Sequence, residues 1–125
     1  MGFAKLNIDC TKIKENIANI QTEIGNKTQV LLVAKANAYG LGAVEICQSL
    51  RDHIHYIGVA TITEAMHLRN NNIHTPILLL SEPEESDWAL ISAHDISITV
   101  YEKDTIIKLN EHAKKTNAKI KTHLK

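Results

Sequence analysis

Short apolar runs alternate along the chain with longer stretches whose apolar residues recur at helical spacing. Residues 5–9, with Leu6 and Ile8 on one side, predict a short strand. Ile13, Ile17, Ile20 and Ile24 then recur at steps of four, three and four residues, the stripe of an amphipathic helix, and Gly25 is placed to stop it. A buried strand is expected over 29–34 and a helix over 43–51. Residues 56–60 predict a strand, and Thr61 with Glu64 form a capping box that opens a helix over 61–70. Residues 77–80 predict another strand, after which Ser81, Pro83 and Glu84 mark a helix start. The pattern closes with a strand over 96–100, a helix over 103–116 and a strand over 119–124.

Strands alternating with helices, with no hairpin signal between them, indicate an α/β fold with a parallel sheet covered by helices. From residue 29 onward the strands start roughly every 20 to 27 residues, the spacing of βα units. A (β/α)8 barrel takes about 250 residues, and 125 are present. The last predicted strand stops without a turn or helix to shield its edge. The expected architecture is therefore the first half of a parallel (β/α)8 TIM-type barrel, truncated, with residues 1–125 forming one portion of a larger domain.

Composition narrows the function classes. Fourteen basic and 14 acidic side chains give no net charge, and only Arg51 and Arg69 are arginine. That argues against nucleic acid or an anionic membrane surface as partner. No apolar run approaches the roughly 20 residues needed to span a bilayer, and the N-terminus lacks a secretory pattern. A cytoplasmic protein is expected. Cys10 and Cys47 stand alone and fit reduced, buried thiols better than a disulfide or zinc site. His53 and His55 can share a face, but no third ligand is near, so no metal site is expected. Glu82, Glu84, Glu85 and Asp87 read as a solvated helix start, Trp88 as a packing residue, and Lys103, Lys108, Lys114 and Lys115 as a hydrated helix face.

The candidate chemistry lies in Val33-Ala34-Lys35-Ala36-Asn37-Ala38-Tyr39-Gly40-Leu41-Gly42. Alternation puts Leu31, Val33 and Lys35 on one face of the strand, Leu32 and Ala34 on the other. An ammonium that continues a buried strand is costly unless paired, neutralised or consumed in a covalent bond. At the C-terminal end of a parallel strand it faces the crevice where such folds bind ligands, and desolvation frees a lysine amine for Schiff-base chemistry. The small residues Ala36, Ala38, Gly40 and Gly42 let the following turn pass close to a bulky ligand, and the Tyr39 phenol can donate to a phosphate.

This string closely resembles the pyridoxal-phosphate signature of alanine racemases. Phe3-Ala4-Lys5-Leu6-Asn7-Ile8-Asp9 resembles that family's N-terminal segment, Gly58-Val59-Ala60 with Glu64-Ala65 its next strand and helix start, and Pro76-Ile77-Leu78-Leu79-Leu80 the one after. His123-Leu124-Lys125 resembles the start of its H-L-K-x-D-T-G-M segment. Related decarboxylases usually place proline where Ala38-Tyr39-Gly40-Leu41-Gly42 stands. The resemblance implies an isomerase that interconverts L- and D-alanine for peptidoglycan, with pyridoxal 5'-phosphate as cofactor and a homodimer as the full-length form. It implies that Lys35 carries the cofactor and exchanges the Cα proton on the D-alanine face, that Tyr39 hydrogen-bonds the cofactor phosphate, and that Lys125 sits where many members carry a carbamylated lysine. The family's second base is a tyrosine from the partner subunit's C-terminal β-domain. No stretch of this chain resembles that domain, so an N-terminal fragment inactive alone is expected. A serine or broad-specificity racemase, a non-catalytic pyridoxal-phosphate-binding remnant and a cofactor-homeostasis protein of the same barrel class are the alternatives.

Overall fold

In the computed structural model, which describes residues 3–125, the elements follow as α1 (Cys10–Ile24), β1 (Leu31–Val33), α2 (Lys35–Tyr39), α3 (Ala43–Leu50), β2 (Tyr56–Val59), α4 (Ile62–Asn70), β3 (Ile77–Leu79), a one-turn 3-10 helix (Glu85–Asp87), α5 (Trp88–Ala93), β4 (Ile96–Val100), α6 (Lys103–Thr116) and β5 (Thr122–Leu124). The five strands lie in the order β1-β2-β3-β4-β5, and every neighbouring pair is parallel. Strictly sequential order is the winding of a barrel wall; a doubly wound sheet would reverse at a switch point.

Register divides the sheet into two unlike faces. Ile57 pairs with Ile77, Ile77 with Ile96, and Ile98 with Thr122, so these side chains share a face. That face is the core. Ile57, Val59, Ile77, Leu79, Ile96, Ile98 and Val100 are buried under the helices with Leu50, Leu68, Trp88, Ile91 and Leu109. β4, with five buried residues in a row, is the β-branched run that the sequence pattern marks. The opposite face carries Leu31 and Val33 of β1, both exposed, with Tyr56, Gly58, Leu78, Ser97, Thr99 and His123.

This second face is concave. β2 and β5 are three strand spacings apart in the order, about 14 Å in a flat sheet. The Tyr56 and His123 rings nevertheless meet edge to face with centroids 6.3 Å apart, which requires the sheet to curl toward them. Gly58 sits inside the curl: a Cβ there would lie 2.9 Å from Leu31 Cδ2 and 3.2 Å from Leu80 Cδ1. A larger residue would therefore displace both leucines.

Arg69, at the end of α4, fastens the N-terminal ends of the strands. Its Nη1 donates to the carbonyls of Ile73 (2.7 Å) and Thr75 (3.0 Å), and its Nε to that of His94 (3.2 Å). These loops lead into β3 and β4, so one guanidinium holds two strand entrances together. Burial pulls its pKa down, and the nearby Asp95 carboxylate opposes that.

Several sequence expectations change, among them a buried Cys10, which is half-buried. Residues 5–9 form no strand: they are exposed, pair with no neighbour, and end at Asp9, whose carboxylate caps α1 by accepting from Thr11 N (2.9 Å) and Lys12 N (3.3 Å). Alternation of Leu6 and Ile8 alone cannot hold a strand without a pairing edge. Glu82 is no freely solvated carboxylate; it is tied into the fold, as described below. In α1 only Ile13 and Ile17 pack on the core, whereas Ile20 and Ile24 stay exposed.

Candidate active site

β1 ends at Val33, and its ladder continues one residue further through the Ala34 amide, which donates to Gly58 O at 2.8 Å. Ala34 is buried on the helix side, and Lys35 emerges half-buried at the C-terminal end of the strand. There the chain turns with the wrong hand. Ala36, Asn37 and Ala38 have φ/ψ of 52/44, 53/47 and 52/46, and Tyr39 has φ 55. α2 is thus a single left-handed helical turn. Such a turn costs L-residues roughly 1–2 kcal/mol each, so the surrounding structure must hold it in place.

Two side chains do so. The Glu64 carboxylate accepts from Ala36 N (2.7 Å) through one oxygen, and from Ala60 N (2.8 Å) and Thr61 N (3.2 Å) through the other. Glu64 N in return donates to Thr61 Oγ1 at 3.2 Å, completing the expected capping box of α4. One carboxylate therefore serves the start of α4 and also ties the residue after Lys35 to the end of β2. On the other side, Asn37 Oδ1 accepts from Ala43 N at 2.8 Å and caps α3. Asn37 O accepts from Gly40 N (3.1 Å) and Gly42 N (3.0 Å). Gly40 and Gly42, with φ 85 and 93, close the turn where other residues are strained.

The turn brings Lys35 and Tyr39 together. Lys35 Nζ lies 6.0 Å from the Tyr39 ring centroid, with Tyr39 66% exposed and Lys35 half-buried at the rim of the sheet. Lys125 is at the opposite edge of the sheet. Its amide extends β5 by donating to Val100 O at 2.9 Å, and two-residue periodicity puts it on the His123 side. Its side chain is exposed and makes no hydrogen bond or ion pair with Lys35 or Tyr39 among the described residues. Lys35 and Tyr39 are assembled; Lys125 is not joined to them.

A second carboxylate clamp sits two strands on. Glu82 accepts from Thr105 Oγ1 (2.5 Å), Tyr101 N (2.6 Å) and Glu102 N (3.1 Å). Burial pushes its pKa up, but these three hydrogen bonds outweigh that and hold it below the usual carboxylate range. The carboxylate that reads as a helix-start charge in fact binds the end of β3 to the start of α6. Its neighbour Glu85 pairs with Lys108 at 2.6 Å on the surface.

The remaining candidates stand apart from Lys35. A cavity of about 590 Å³ between α1 and the loop before β2 is lined by Gln21, Asp52, His53 and His55, at the other end of the sheet. His55 Nδ1 accepts from Val30 N at 3.1 Å and so serves the entrance of β1. Among the described residues no three His, Cys, Asp or Glu side chains form a metal site, and no helix is long and apolar enough to cross a membrane. Cys47 is fully buried, and burial pushes its thiol from 9.0 up to about 11. Cys10 is half-buried at the start of α1, and both cysteines are free.

Comparison with known proteins decides the family. The family model described as "Alanine racemase, N-terminal domain" matches residues 8–125. The chain belongs to that family. An alanine racemase of Methanococcus maripaludis is 36% identical over 119 residues, covering 94% of this chain and 32% of the relative. One of Treponema denticola is 35% identical over 126 residues, covering 100% and 33%. The solved alanine racemase of Clostridium difficile 630 superposes with a TM-score of 0.85 at 33% identity, over 90% of this chain and 30% of that one. The chain thus spans about a third of the length of the relatives that it matches, and its five strands correspond to part of the alanine racemase barrel.

Alanine racemase family members use pyridoxal phosphate, and the residues present suit it. A cofactor with an aldehyde and a phosphate needs a primary amine and a hydrogen-bond donor on one accessible rim. Lys35 and Tyr39 supply that pair, beside a concave face lined by Gly58, Leu78 and Thr99.

Proposed function

We propose that this chain is the lysine-bearing portion of the barrel domain of a pyridoxal-phosphate-dependent alanine racemase, and that residues 1–125 belong to that one domain. The observation that carries the reading is the pairing of Lys35 with Tyr39 on a braced left-handed turn at the end of β1, in a chain that matches the family over residues 8–125. Lys35 would hold the cofactor through Nζ, and the Tyr39 phenol would donate to its phosphate. When bound, the cofactor supplies an electron sink for negative charge at the substrate Cα.

The protein's part is placement and proton transfer. Lys35 Nζ would take up the Cα proton on one face in one direction of the reaction and deliver it to that face in the other direction. Inversion needs a second acceptor on the opposite face, and in this reading that group comes from a C-terminal β-domain of a partner subunit in a homodimer. The substrate is alanine, the setting cytoplasmic, and the product D-alanine for peptidoglycan. Lys125, on the concave side but at the opposite edge of the sheet, would act as a carbamylated lysine.

A spectroscopic titration of the chain with pyridoxal phosphate tests the assignment. The visible band of the amine adduct is expected in the wild type, lost in Lys35→Ala, and kept with several-fold weaker affinity in Tyr39→Phe. A band of equal strength in Lys35→Ala would overturn it.

A further inference from the structure

We propose that Glu64 is a positioning residue for Lys35, acting as a brace that keeps the left-handed turn, and with it the amine, in the orientation in which the cofactor meets it. The inference rests on the reading of Lys35 given above. It adds a residue that lies on a different βα unit and touches neither cofactor nor substrate.

Three observations converge. The carboxylate spends one oxygen wholly on Ala36 N, at 2.7 Å, the shortest of its three bonds. An α4 cap alone needs only the other oxygen, which already takes Ala60 N and Thr61 N. The bond to Ala36 is therefore surplus to helix capping. Next, Ala36 is the first of four consecutive non-glycine residues with positive φ, and with helical turns of either hand the leading amides lack partners within the turn. An anion at that end both satisfies Ala36 N and opposes the turn's dipole. Finally, Lys35 directly precedes Ala36, so the torsions that join them set where the turn and Tyr39 stand relative to the Lys35 side chain. Asn37 braces the far side through Ala43 N at 2.8 Å, and among the described residues Glu64 is the side chain that bonds the near side.

Thr61→Ala is the control. It removes the other half of the capping box, so it loosens α4 while leaving the bond to Ala36 N in place. In Glu64→Ala both are lost. Glu64→Gln keeps an oxygen for one amide and turns an NH2 toward the other.

The test reads the turn and the amine separately. In the cofactor-free chain, NMR couplings and carbon shifts report positive φ at residues 36–39, and hydrogen exchange reports protection of the Ala36 amide. With pyridoxal phosphate added, borohydride reduction and peptide mapping give the initial rate of adduct formation at Lys35. We expect the positive-φ signature and Ala36 protection to survive in Thr61→Ala and disappear in Glu64→Ala, with Glu64→Gln between them. The Lys35 rate is expected to fall about tenfold or more in Glu64→Ala and to change less than about twofold in Thr61→Ala. An unchanged turn in Glu64→Ala overturns the proposal, as does an equal loss in Thr61→Ala, which would mean that the effect is loosened α4. A wild-type chain that forms no adduct at Lys35 while keeping its turn defeats the cofactor reading instead, and with it the role assigned to Glu64.

Discussion

Asn37 separates the two costs that the left-handed turn carries. Its Oδ1 accepts from Ala43 N at 2.8 Å, and its own backbone sits at φ 53, ψ 47. Asn37→Ala removes the cap, worth about 1 kcal/mol. It also places a residue with a Cβ, and without the local hydrogen bonding that lets Asn visit this region, in a conformation that costs roughly 1–2 kcal/mol. Asn pays part of that cost already, so the total loss is about 2 kcal/mol. Asn37→Gly loses the same cap but adopts positive φ without steric penalty, offset in part by greater freedom of the unfolded chain. Its net loss is about 0.5–1 kcal/mol. Urea unfolding followed by far-UV circular dichroism gives both values, and an unchanged m-value confirms that stability alone has moved. Asn37→Gly is expected to be the more stable variant by about 1 kcal/mol. Equal losses would refute the claim that the turn stores conformational cost, since the cap would then account for everything.

Further expectations follow from the other clamps. Arg69→Lys, which keeps the charge but loses the fork reaching Ile73, Thr75 and His94, should lose on the order of 1–3 kcal/mol in urea unfolding. A loss under a few tenths would show that the loops hold themselves. Cys47, with its thiol raised from 9.0 to about 11, ionises in the unfolded chain before it does in the folded one. Stability should therefore fall as pH rises between those values, by on the order of 2 kcal/mol. Cys47→Ala should remove that part of the slope, and a thiol reagent should modify Cys10 in the native chain but reach Cys47 only on unfolding. Glu82 has the opposite sign, because its pKa is held down. Its contribution is present above the ordinary carboxylate pKa and fades as pH falls below it, so an acid titration of Glu82→Gln should be flatter than that of the wild type.

The architecture was legible because most elements are locally consistent. The run from Ile96 to Val100 and the helix Lys103–Thr116 fall where periodicity puts them, each being bounded by polar residues. The pairing of Thr61 with Glu64 reads as a helix start from spacing alone and forms as one. What escaped the sequence is tertiary. No local preference of Ala36, Asn37, Ala38 or Tyr39 as a group predicts four residues of positive φ; Asn37 and the flanking Gly40 and Gly42 are the only hints. One brace of the turn is Glu64, which reaches it from 28 residues away, and a capping box read along the chain says nothing of a second oxygen. Glu82 escaped for the same reason: its partners lie 19 to 23 residues further on. Residues 5–9 failed in the other direction, since alternation marks a strand only where an edge is there to receive it. Of the candidate site, Lys35 and Tyr39 were readable from their motif, and the braces that place them were not.

The most direct measurement is to load the purified chain with pyridoxal phosphate, reduce it with borohydride and locate the label by peptide mass spectrometry. Label concentrated on the peptide carrying Lys35, and spread back over the other lysines once the chain is unfolded in urea, is the expected result. Label scattered over the lysines in the native chain as well would mean that the end of β1 does not single out that amine, and would contradict the assignment of Lys35.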